Sequence, residues 1–371
     1  MRKYCVIIII LLLFCQNLHF SGFKTYAVSN STTAEGMVVL ESSTDRILNS
    51  KNENKKLPMA STTKILTAIV AIENTKDLNQ KHKIPKEAVG IEGSSIYLKA
   101  GEELSILELL YGLMLRSGND AAVAIAIIVS GSVDSFVKMM NNKCRELCLY
   151  NTNIVTVNGL HDDKHYTTAY ELAKITAYAL QNETFSKIVS TKEICISNTA
   201  GKTEQRFLRN KNRFLNMVEG ADGVKTGYTK KAGRCLVSSA TKNGMQVICV
   251  VLNCLPMFED CVKLTNQAFE EYGLVKLFSK GVILKDEKTQ KTPIILKNDI
   301  YYPLKTDEIA KITAKLNLND KISKISKDED SIGTIDVNLE NNLIFSDKVY
   351  TINIDKTARV KDKFHKIIKA F

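Results

Sequence analysis

Three short polar patterns, in a fixed order, hold the residues in this chain whose types and spacing suit covalent chemistry. The first is Ser61-Thr62-Thr63-Lys64. A serine hydroxyl attacks poorly near neutral pH unless a neighbouring base takes its proton. A lysine three residues on lies about one helical turn away and on the same face, so its amine reaches that hydroxyl. The run from Ile65 to Ile72 adds no further charge, which predicts a helix buried nearly all round. Burial and the positive end of the helix dipole both disfavour an ammonium at Lys64 and favour a neutral amine able to act as base. The other two patterns are Ser117-Gly118-Asn119 and Lys225-Thr226-Gly227. Each in isolation is an ordinary cap, turn or strand end; it is the ordered set that points to one site.

Positioning such a set needs a sheet and a group of helices. Residues 36–40 read as a strand, and the polar stretch 41–56 completes a hairpin ahead of the Ser61 helix. From Leu104 to Leu180 most of the pattern is helical, with Ser117-Gly118-Asn119 in the turn between two apolar runs and Thr167 or Thr168 capping a later helix. Residues 223–227, 234–240 and 245–251 read as strands, the last two joined by Asn243-Gly244, a strong hairpin signal. Residues 258–272 form a closing helix. The order implies an α/β (α+β) catalytic domain over residues 28–275, in which terminal segments share an antiparallel sheet and a helical subdomain carries the middle motif. Beyond it, short alternating runs predict a small β-rich domain over residues 276–356.

The ends of the chain suggest export. Arg2 and Lys3 precede a short apolar core, and Thr25-Tyr26-Ala27 places small residues where a signal peptidase reads, so residues 1–27 are expected to be a cleaved signal peptide. Cleavage lowers the formal charge from +11 to +8; a basic exported protein is drawn to anionic walls and lipid surfaces. Nucleic acid is not an expected partner. Residues 357–371 form a basic amphipathic segment: Val360, Phe364, Ile367, Ile368 and Phe371 gather on one helix face, beside Arg359, Lys363, Lys366 and Lys369. Such a helix can lie in a membrane interface. Seven cysteines remain after cleavage, without metal-ligand spacing, and read as free, mostly buried thiols suited to a reducing habitat. No metal or other cofactor is expected.

Taken together, the motifs resemble the D-alanyl-D-alanine carboxypeptidases, low-molecular-mass penicillin-binding proteins of the penicillin-recognising serine peptidases. The set Ser-x-x-Lys, Ser-x-Asn and Lys-Thr-Gly is shared with class A β-lactamases, but Gly118 in the middle motif is closer to the carboxypeptidases. Leu57-Pro58-Met59-Ala60, Asn158-Gly159-Leu160, residues 165–173 and residues 222–233 extend the resemblance. One departure is Glu171, where the family usually has aspartate at a structural helix start. The resemblance implies a β-lactamase-like catalytic fold followed by the small β domain and amphipathic segment. It also implies Ser61 as nucleophile, Lys64 as its base, Ser117 as proton relay and Asn119 as a residue that orients Lys64 and binds a substrate amide. Lys225 and Thr226 would hold the substrate carboxylate, Gly227 would admit the substrate backbone, and the amides of Ser61 and Tyr228 would form an oxyanion hole.

The implied substrate is a peptidoglycan stem peptide ending in D-Ala-D-Ala, with β-lactams as covalent inhibitors, at the extracellular face of the cytoplasmic membrane or in the cell wall. A β-lactamase is the first rival, yet its Glu-x-x-Leu-Asn pattern is absent between Asn119 and Lys225. A non-catalytic penicillin sensor is the second, and such receptors carry several membrane spans. His161 and His165 read as loop or packing residues.

Overall fold

A computed structural model describes residues 32–197, 205–281, 294–319 and 331–351 of the chain. The expected signal peptide (1–27) and amphipathic segment (357–371) lie outside the described residues. The chain divides into a unit spanning Ser29–Glu271 and a second containing Tyr272–Phe371.

The first unit is built on a five-stranded antiparallel sheet, in the order β2-β1-β9-β8-β7. Its strands are β1 (Gly36–Glu41), β2 (Ile47–Lys51), β7 (Ala221–Thr229), β8 (Gly233–Lys242) and β9 (Met245–Leu252). β1 is buried along its whole length and pairs with β2 on one side and β9 on the other, with Val39 opposite Cys249. β1 is thus an interior strand, next to the β2 edge, of a sheet completed some two hundred residues later. Asn243 and Gly244, both at positive φ, turn the chain between β8 and β9, as their sequence predicts.

Helices α1 (Lys64–Glu73), α2 (Ile106–Leu115), α3 (Asn119–Ser130), α4 (Val133–Glu146), α5 (Ala169–Leu180) and α6 (Glu183–Ser190) fill the segment between β1–β2 and β7, and α7 (Met257–Glu271) closes the unit. Small hairpins, β3–β4 (Lys81–Lys83, Glu103–Ser105) and β5–β6 (Glu193–Ser197, Gln205–Arg209), lie among them. Every residue of α1 from Lys64 to Ile72 is buried. Its Ile, Val and Thr content is only moderate in helix propensity, so burial on all sides is what makes this helix stable. Ser105 and Glu108 form a reciprocal capping box at α2, and Thr168 caps α5 through the Glu171 amide.

The second unit carries β10 (Gly273–Phe278) paired with β12 (Ile300–Leu304). A separate four-stranded sheet runs β11-β15-β14-β13, formed by Ile294–Ile295, Asn342–Thr351, Ser331–Leu339 and Ile312–Leu318. Its own core gathers Ile294, Leu296, Ile300, Ile332, Ile335 and Val349. All seven described cysteines are unpaired, and five of them are buried.

Candidate active site

Ser61 does not lie in an α-helix, as the sequence suggested, but in a 3₁₀ turn (Ala60–Thr63) that runs into α1. With three residues per turn, positions i and i+3 eclipse one another. The tighter turn sets Lys64 directly beneath Ser61, with Nζ 2.9 Å from Oγ. Thr62 and Thr63 tie the turn back on itself, donating their hydroxyls to the carbonyls of Met59 and Ala60 at 2.6 and 2.7 Å.

Lys64 is fully buried and has two further partners: Asn119 Oδ1 at 2.7 Å and the Asn158 carbonyl at 2.5 Å. Both can only accept. A neutral amine has two hydrogens and one lone pair, so with its hydrogens on Asn119 and Asn158 the lone pair is left facing the Ser61 hydroxyl. Burial, first, and then the nearby cations Lys225 and Lys211 drive Lys64 well below the ordinary lysine pKa; Asp120 opposes them weakly. The same burial lowers Lys225 to about 7.

Asn119 is held in turn. Its side-chain amide donates to the Glu92 carbonyl at 2.6 Å, and its backbone amide to the Ser94 carbonyl at 2.7 Å. The buried Asp120 carboxylate then accepts from the amides of Ile96 and Leu98 and from the Ser95 hydroxyl, pinning this loop to the start of α3. Ser117, at φ +64 and nearly buried, occupies the turn from α2 to α3. Positive φ is uncommon for a non-glycine residue and marks a position held by its surroundings.

β7 presents the third motif. Lys225 is buried with Nζ on the Thr226 carbonyl at 2.9 Å, Thr226 is half-buried, and Tyr228 is exposed. A Cβ at Gly227 would stand 3.1 Å from both the Met59 carbonyl and the Ser61 amide, so glycine lets β7 lie against the turn that bears Ser61. Gly159 does the same from the other side: at φ +83, its Cβ would fall 2.0 Å from the Ala60 carbonyl. Hydrogen bonds thus join Ser61, Lys64 and Asn119 directly, and close packing brings Gly227 to them. Among the described residues, no hydrogen bond links Ser117 or Tyr228 to Ser61 or Lys64.

A family model described as D-alanyl-D-alanine carboxypeptidase matches residues 24–255, and one described as the C-terminal domain of penicillin-binding protein 5 matches residues 272–356. The chain belongs to the D-alanyl-D-alanine carboxypeptidase family. It is 36% identical over 266 residues to the D-alanyl-D-alanine carboxypeptidase DacF of Bacillus subtilis, covering 70% of this chain and 68% of the relative. The D-alanyl-D-alanine carboxypeptidase of Streptomyces sp. K15 is 35% identical over 261 residues, covering 66% of this chain and 90% of its own. Penicillin-binding protein 5 from Haemophilus influenzae superposes with a TM-score of 0.74 at 26% identity, over 88% of this chain and 99% of that one.

Sequence reasoning missed three contributors. The Asn158 carbonyl is backbone and leaves no residue signature. Asp120 follows the second motif but acts on a loop some two dozen residues earlier in the chain. His165, expected to be a loop or packing residue, is buried with Nε2 2.8 Å from Thr63 Oγ1; only its place in the Asn158–Ala173 stretch hinted at the site.

Proposed function

We propose that Ser61 and Lys64 remove the terminal D-alanine from peptidoglycan stem peptides ending in D-Ala-D-Ala. The observation that carries this reading is the hydrogen-bond set on Lys64, which leaves a buried lone pair facing the Ser61 hydroxyl. Ser61 Oγ attacks the carbonyl carbon of the scissile amide while its proton passes to Lys64 Nζ. Negative charge gathers on the former carbonyl oxygen, where the amides of Ser61 and Tyr228 donate to it; one such donor is typically worth about 3–4 kcal/mol. The tetrahedral species collapses as the departing amine takes a proton, relayed from Lys64 through Ser117. D-Alanine leaves and an ester on Ser61 remains. Water, deprotonated by the same lysine, then cleaves that ester.

Asn119 keeps Lys64 in line and offers its amide edge to the peptide. Lys225 and the Thr226 hydroxyl bind the terminal carboxylate, as a cation with a short donor suits an anion, and the substrate backbone lies along β7 at Gly227. β-Lactams enter by the same attack, and the opened ring stays attached and slows water. A β-lactamase reading would need a carboxylate that activates water. The buried Glu171 is occupied instead, accepting from the Asn151 amide at 2.9 Å and the Thr152 hydroxyl at 2.6 Å.

The activity is tested with a pentapeptide ending in D-Ala-D-Ala. D-Alanine release by the wild type and its loss in Ser61→Ala are expected; no release by the wild type overturns the reading. We also place the enzyme outside the cytoplasm, exported through residues 1–27 and held to the membrane surface by residues 357–371. Unchanged membrane co-sedimentation after deletion of residues 357–371 defeats the anchoring.

A further inference from the structure

We propose that His165 is a positioning residue for acylation: a neutral imidazole that ties the turn bearing Ser61 to the loop whose carbonyl holds Lys64. The inference rests on the reading of Ser61 and Lys64 as nucleophile and base. Its basis is the pattern of donors around the ring. His165 Nδ1 lies 3.0 Å from the Val155 amide and 3.3 Å from the Thr156 amide. Backbone amides only donate, so Nδ1 must carry the lone pair and Nε2 the hydrogen. Nε2–H then donates to Thr63 Oγ1, and the Thr63 hydroxyl donates onward to the Ala60 carbonyl. Ala60 sits at φ +48, immediately before Ser61, so this chain of bonds ends on a residue held in a sparsely populated conformation.

The other edge of the ring fixes the 155–160 loop. Thr156 Oγ1 accepts from the Gly159 amide at 3.2 Å and donates to the Leu160 carbonyl at 3.1 Å. Those bonds frame Asn158, whose carbonyl takes a hydrogen of Lys64. One imidazole therefore braces both partners of the Ser61–Lys64 pair. It touches neither the reacting atoms nor Lys64, so its effect is on geometry. The charged and titratable groups that act on it are Asp162, His161 and Lys64. Burial is the largest influence, His161 and Lys64 act with it, only Asp162 opposes, and together they lower the ring to about 4. A proton on Nδ1 would aim an N–H at two N–H donors and expel the ring from its seat.

Two measurements test this. In protein labelled with nitrogen-15 histidine, the His165 shifts at pH 7 should report the Nε2–H tautomer; the Nδ1–H tautomer overturns the proposal. The second is the rate of penicillin adduct formation on Ser61, followed by quenching and mass spectrometry across pH. His165→Gln can still donate to Thr63 but offers no ring acceptor to Val155 and Thr156. It should slow acylation roughly tenfold at neutral pH with the folded fraction unchanged, and its rate should fall with a one-proton slope at acid pH. The wild type should show a steeper, two-proton fall near pH 4, while circular dichroism remains native. A variant with the wild-type rate and slope overturns the proposal. If the variant does not fold, the wild-type slope and tautomer decide. Absence of any adduct on wild-type Ser61 would instead sink the assignment of the nucleophile, and the tautomer measurement would still judge the ring.

Discussion

Around Ser61 the cations are buried and pushed towards neutrality, whereas in the β unit that begins at Tyr272 they sit at the surface and are pushed towards charge. Burial is the largest influence on both Lys64 and Lys225, and the cations reinforce it by repelling one another. Lys276 and Lys311 move the opposite way. Lys276 pairs with Asp299 at 2.8 Å, and Lys311 with Glu340 and Asp307 at 3.3 and 3.4 Å; the hydrogen bonds to these carboxylates raise both lysines. The same side chain is therefore pushed towards neutrality or towards charge according to what surrounds it. Clustered cations without facing carboxylates are costly to fold. A protein tolerates that cost where function repays it: on the proposed mechanism Lys64 is used as a neutral amine and Lys225 meets the substrate's own carboxylate.

The contrast can be broken or sharpened in order of expected effect. Lys64→Met removes the proposed base beside Ser61 and should slow both D-alanine release and penicillin adduct formation by about 10²–10⁴-fold. Retained acylation would mean that the serine is activated elsewhere. Asp120→Asn exchanges a buried acceptor of four donors, the Ser95 hydroxyl and the amides of Ile96, Leu98 and Ala121, for a group that also donates. It should lower stability by about 3 kcal/mol, read in denaturant unfolding, and reduce turnover as the loop supporting Asn119 loosens.

Lys225→Met removes the second-largest influence depressing Lys64. The amine of Lys64 should then titrate higher, and the rising limb of acylation against pH should move to more alkaline values. Its stability effect has a definite sign. The folded pKa of Lys225, about 7, lies below its ordinary value of 10.5, so in the wild type its contribution is intact above pH 10.5 and is lost as pH falls through 7. The variant lacks that loss. It should melt higher than the wild type at pH 7, with the gap closing towards pH 10.5; a lower melting temperature at pH 7 would contradict the burial argument. Lys276→Ala, at an exposed pair, should change neither melting temperature nor activity measurably. A clear loss there would erase the distinction between the two regions.

Much of this was legible in the chain. Asn243-Gly244 marks its hairpin because both residues accept positive φ, and the charge-free run after Lys64 marks a buried helix because no polar face remains to be wetted. The three motifs announce themselves through side chains with few other uses in such an order. The 3₁₀ turn at Ser61 was less legible, since Ala60-Ser61-Thr62-Thr63 carries no preference that separates it from a first α-helical turn. His165 was harder still. It lies 102 residues from Thr63, and a histidine in a polar loop looks alike whether it faces water or braces a buried turn.

By itself, then, the sequence determined the family, the pairing of Ser61 with Lys64 and the order of the main strands and helices, because these depend on residue identity and short-range spacing. Tertiary structure alone decided which atoms complete the site. The Asn158 carbonyl takes a hydrogen of Lys64, Gly159 and Gly227 let two backbones close on Ser61, and burial, reinforced by Lys225, pushes Lys64 well below the ordinary lysine pKa. Each depends on distances between segments far apart in the chain, and on the exclusion of water, which no local pattern encodes.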